Sequence, residues 1–167
     1  MTQNFKVNVK LLTRTALLLA LTIIVQFLRM PQLITGSIVN AMLIISTGIV
    51  GILSGISIGL LTPIIAVIVG IMGFPALIPF IMIGNILYVI FYSFLKQKVI
   101  GIIIGSIIKF LWLAVSVKYI LRWFGVKVPT KIIQMFTLPQ LATALIGGII
   151  GIVIVKVLDN YLKKART

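Results

Sequence analysis

Few side chains in this sequence can do chemistry, and those few fall in apolar surroundings. Lys109, Trp112, Ser116 and Tyr119 follow one another at i, i+3, i+7 and i+10, the spacing that puts side chains on one helix face. Such a stripe offers a cation, a stacking ring and two hydroxyls, the chemistry of holding a polar or acidic small molecule. Gln26, Asn40, Asn85, Thr137 and Gln140 add uncharged hydrogen-bonding groups. There is no Cys or His, so the usual ligands for Zn, Ni or Co are missing. With Asp159 as the single acid, the chain has neither paired carboxylates nor a Ser/His/Asp set, and it has no nucleotide-binding glycine loop. The sequence therefore predicts a binding protein rather than an enzyme, with no metal or organic cofactor.

The elements that position these groups follow from composition. Hydrophobic residues make up 61% of the 167 and charged residues 10%, and the mean hydropathy is +1.30, far from the roughly half-apolar make-up of a soluble domain. At about 20 residues per membrane span, one all-α transmembrane domain is expected to occupy residues 1–167. The fifteen Lys and Arg would suggest nucleic acid in a soluble protein. Here they flank apolar runs, where they anchor helices at anionic lipid surfaces.

Six spans are expected. An amphipathic start, Met1 to Lys10, leads into span one, Leu11 to Leu28, a retained helix rather than a signal peptide because Ile38 begins another apolar span. Arg29-Met30-Pro31 ends it. The apolar stretch Ile34 to Met72, 39 residues, is about twice what one crossing needs, so it folds as a hairpin turning at Gly51 to Gly55. Span four covers Ala76 to Leu95, span five Val99 to Leu121 and span six Ile132 to Leu158. The basic tail Asp159 to Thr167 allows an i,i+4 pair between Asp159 and Lys163.

Lys6, Lys10, Arg14, Lys96, Lys98, Lys156, Lys163, Lys164 and Arg166 fall on one side, against Arg29, Lys118, Arg122, Lys127 and Lys131 on the other. The nine-to-five bias predicts cytoplasmic termini, with the basic link between spans five and six an exception that would attract anions. In this orientation the polar residues sit in the external halves of the spans, with Asn85 near the middle, and the internal halves are nearly all aliphatic. That asymmetry predicts an outward-opening pocket. For Trp112 and Tyr119 an interfacial aromatic belt is the competing reading, and for Lys109 a snorkelling side chain. Lys109 lies ten residues, roughly 15 Å, from the inner end of its span, and an ionisable residue that deep points to function. Along span six, Thr137, Gln140, Ala144, Gly147 and Gly151 share a face whose small end reads as helix packing. Pro63, Pro79 and Pro139 can each free a backbone carbonyl.

No Asp or Glu lies in any span, so proton coupling lacks its usual carriers and transport needs an energised partner. With six short spans, a basic N-terminus and Ala16-Leu17-Leu18-Leu19-Ala20 in the first helix, the chain resembles the S components of energy-coupling factor (ECF) transporters over its whole length. Gly36-Ser37-Ile38-Val39-Asn40, Leu61-Thr62-Pro63 and the stretch from Pro79 to Asn85 also look like S-component segments. The resemblance implies that Ala16 and Ala20 dock a transmembrane T component, that two ATPases supply energy, and that helices four to six form an external pocket for a vitamin or related small molecule. The competing readings are a small channel or a structural membrane subunit.

Overall fold

The structure, a computed structural model, describes residues 9–164, the side chains at 162 and 163 excepted. The start from Met1 to Lys10, other than its last two residues, and the Asp159–Lys163 pair lie outside it. No strand occurs among the described residues. The chain is a bundle of α1 (Val9–Phe27), α2 (Gln32–Ile49), α3 (Ile52–Ile68), α4 (Ile78–Phe94), α5 (Lys98–Trp123), the short α6 (Thr130–Met135) and α7 (Leu138–Lys164). Among the described residues five segments are long and apolar enough to cross a membrane, and α3 is a shorter apolar helix of 17 residues. The protein is a multi-pass membrane protein whose helices carry their apolar residues outward. On α1 Leu12, Leu17, Leu21 and Ile24 are exposed while Thr15, Thr22 and Gln26 are buried, the reverse of a soluble amphipathic helix.

Without a hydrophobic force between helices in lipid, close packing must hold the bundle together, and glycines supply it. Helices α2 and α7 run parallel. A Cβ on Gly36 would touch Thr143, one on Gly147 would meet Asn40, one on Gly151 would meet Ile44, and one on Gly48 would meet Val155. Gly101 and Gly105 of α5 face Phe91 and Tyr88 of α4 in the same way. Below the polar centre, Leu43, Ile44, Ile58, Tyr88, Val89 and Ile102 form a closed core.

Three elements differ from the sequence expectation. The α2–α3 turn is only Val50-Gly51, with Gly51 at φ 128° as the residue before α3, and Gly55 already packs inside the helix against Thr47. The expected sixth span is two helices, α6 and α7, broken at Phe136 and Thr137. Thr137 therefore does not share the α7 face, and Pro139 starts a helix rather than opening one. Pro79 likewise lies at the start of α4, so only Pro63 sits inside a helix. Finally, α5 carries a π-helical turn at Ser116–Ile120. Its wider repeat rotates later residues out of α register.

Candidate functional site

The polar centre is built on one consequence of proline chemistry. Pro63 has no N–H to give the carbonyl four residues back, which is that of Gly59. Asn85 Nδ2 donates to that Gly59 oxygen at 2.9 Å, which turns its Oδ1 the other way, toward α5. Lys109 Nζ donates to this Oδ1 at 2.8 Å and to Asn40 Oδ1 of α2 at 2.5 Å. Tyr88, one turn beyond Asn85, presents its ring 5.3 Å from the same ammonium, within cation–π range. Its hydroxyl donates to Ala144 O of α7 at 2.7 Å. Asn40 Nδ2 makes a long 3.5 Å contact to Thr143 Oγ1. Lys109 is 2% exposed, so one ammonium ties together side chains from α2 and α4 and, through them, α3 and α7.

Above this centre lies a cavity of about 570 Å³, a drug-sized volume. Its floor is Asn40, Asn85 and Lys109. Its walls include Val39, Ala66, Leu77, Ile81, Leu113 and Phe136, and its upper polar groups are Gln26, Gln32, Thr35, Lys131 and Gln140. The lining comes from the C-terminal parts of α1 and α3, the middle of α5 and the N-terminal halves of α2, α4 and α7, the half of the bundle away from the start of α1 and the end of α7. Residues Ile71 to Phe74 and α6 contribute to it. Phe74, Leu77, Val117, Leu121, Val126 and Phe136 pack into a separate apolar cluster on this side of the bundle. The lining is broader than helices four to six, since α1, α2 and α3 contribute as well.

Of the residues singled out in the sequence, Asn40, Asn85, Lys109 and Gln140 come together around this cavity. Trp112, Ser116, Tyr119 and Thr137 do not line it. Trp112 Nε1 donates to Phe80 O at 2.9 Å and its ring lies against Phe80, which fixes α5 to α4. Ser116 is buried and returns its hydroxyl proton to Trp112 O at 2.6 Å. Tyr119 is 68% exposed: the stripe that begins at Lys109 is carried off its face by the π turn. Thr137 donates to Gln134 O in the α6–α7 break. Ala16 and Ala20 are both exposed on the outer side of α1.

The sequence did not single out Tyr88 or Lys131 as site residues, whereas Gln26, named there for its hydrogen-bonding group, does line the cavity. Tyr88 was accessible as the i+3 neighbour of Asn85 on the same helix face. Gln26 is 9% exposed and its Oε1 is buried with no hydrogen-bond partner among the described residues. Beneath the ammonium the bundle is shut, since Leu43, Ile44, Ile58 and Tyr88 are each 0% exposed. The arrangement is a blind pocket with a charged floor.

Residues 10–158 match the model of one protein family, described as the ECF transporter, substrate-specific component. No curated protein and no solved structure matches the chain.

Proposed function

The chain belongs to the family of ECF transporter substrate-specific components, and from that premise we propose that it captures one vitamin-like small molecule in the cavity above Lys109. It delivers that molecule together with a transmembrane T component and two ATPases. The observation that carries this reading is the blind pocket itself. It opens away from both termini, is wide enough for one small molecule, and ends on buried hydrogen-bonding groups from several helices. A channel needs a continuous polar path along its whole length, whereas below Lys109 the core of Leu43, Ile44, Ile58 and Ile102 is closed, and the buried hydroxyls of Thr15, Ser46 and Thr47 are spent on Ser54 or on the Leu43 carbonyl. A purely structural subunit has no use for an ammonium in the middle of a span.

In this reading both termini are cytoplasmic, in a bacterial cell membrane, and the pocket faces outward. The exposed Ala16 and Ala20 give α1 a flat strip on which another helix can lie close. Most of the rest of α1 is exposed too, as suits a helix with a partner in the membrane. The test is affinity purification of the tagged full chain from native membranes. Recovery of a T component and ATPase subunits supports the reading, and recovery of the chain alone, from membranes in which those subunits are present, overturns it.

A further inference from the structure

Resting on that reading of the cavity, we infer that its ligand is an organic anion: an apolar body carrying a carboxylate that enters first and sits against Lys109. Charge balance carries the inference. The ammonium is 2% exposed, and its oxygen partners are two neutral amides, those of Asn40 and Asn85. The only acidic side chain in the sequence, Asp159, lies on α7 sixteen residues past Thr143, about 24 Å along the helix axis. It cannot be the counter-ion. A buried cation without an opposite charge is costly, and a charge-assisted bond to a carboxylate offsets that cost better than amide dipoles do. An ammonium has three protons to donate, and the two amides account for two of them.

Two further features give the ligand its shape. Between floor and mouth the walls are apolar, with Leu77, Ile81, Leu113 and Phe136 facing the space, so the body of the ligand is apolar. Gln32, at the start of α2, is eight residues above Asn40, about 12 Å along the helix, which sets the depth of the pocket. The ligand thus carries a carboxylate at its deep end and an apolar body of about 12 Å or less above it. The exposed Lys131 on the lining adds positive potential at the entrance, which draws anions in.

The test uses the purified full chain in detergent, titrated with 4-phenylbutyrate and 4-phenylbutyramide. This pair heads a panel of alkyl and aryl carboxylates, each matched with its primary amide, and is read by thermal shift and calorimetry. Acids bind wild type and their amides do not. Asn40→Asp supplies a carboxylate of nearly the same shape beside Lys109, so it satisfies the ammonium internally and weakens acid binding by about thirtyfold or more. If Asn40→Asp does not fold, Lys109→Met takes its place and abolishes the preference for acid over amide. Amides binding as tightly as acids, no acid in the panel binding, or an unchanged acid affinity in the folded variant each overturns the inference. Co-purification with ATPase subunits is measured in parallel. If it persists while acid binding fails, the inference falls and the transporter reading stands, and the opposite pattern means the reverse.

Discussion

A single methyl group added at Gly147 should loosen both the bundle and its site. A Cβ built there falls 2.7 Å from Asn40 Cβ and 3.0 Å from Ala41 N, and closer still to the Ser37 carbonyl oxygen. Two of these three atoms are α2 backbone, which cannot rotate away as a side-chain tip would. The helices must therefore separate along a seam that continues through Gly151 against Ile44 and Gly48 against Val155. Overpacking of this kind costs about 1–3 kcal/mol, and the better helix propensity of alanine returns no more than about 1 kcal/mol. A net loss on the order of 1–2 kcal/mol is expected for Gly147→Ala, read by reversible unfolding in mixed micelles. Gly73→Ala is the control, because nothing lies within 4 Å of a Cβ there, and it should range from neutral to about 1 kcal/mol more stable. Asn40 is on the turn of α2 that must move, so ligand affinity should fall in Gly147→Ala as well. If Gly147→Ala unfolded with wild-type stability, the close α2–α7 contact would be refuted, and with it the placement of Asn40 beside Lys109.

Other expectations are simpler. Ala16→Trp and Ala20→Trp, which put bulk on the exposed strip of α1, should abolish uptake of radiolabelled substrate in whole cells while the purified variants keep their ligand affinity; normal uptake by both would remove α1 as the docking helix. Reporter fusions at each terminus should be active only on the cytoplasmic side, and an external terminus would reverse the direction in which the pocket opens. Gln26→Leu should leave the unfolding temperature unchanged or raise it, since it removes a buried acceptor with no hydrogen-bond partner among the described residues; a clear drop in the thermal-shift assay would show that this oxygen is satisfied. Tyr119→Ala should leave ligand affinity unchanged in calorimetry, because Tyr119 is 68% exposed and off the cavity; a large loss there would restore the full α5 stripe as the site.

The legible parts of this fold were those written in single residues with strong physical consequences. Lys109 was readable because a charge deep in an apolar run has few tolerable explanations, and the structure surrounds it with Asn40 and Asn85, two other polar residues that the sequence singled out. Pro63 was readable as a source of a free carbonyl, although not that Asn85 would take it. The glycine pair at 147/151 was readable as packing. Two failures arise where local geometry departs from a uniform α-helix, whereas Trp112 lies in the regular part of α5 and turns to the Phe80 carbonyl of α4. Helical spacing put Tyr119 in line with Lys109 only if α5 stays α-helical, and the π turn at Ser116–Ile120 removes it. Thr137 and Pro139 were assigned to a continuous sixth span because apolar composition runs unbroken through Ile132 to Leu158. It does not reveal that Thr137 ends one helix and Pro139 begins the next. The contribution of α1 to the pocket, through Gln26, depends on helix packing between distant segments, which periodicity alone does not carry.

The central claim, that Lys109 forms the floor of the ligand site, is tested most directly by native mass spectrometry. The full chain and its Lys109→Met variant would be purified side by side from native membranes and released gently from detergent. Wild type should carry a small-molecule adduct of one defined mass, and Lys109→Met, folded and at the same concentration, should carry none. An adduct of the same mass and occupancy on both proteins would contradict the claim and leave Lys109 as a packing residue that ties α2 and α4 to α5.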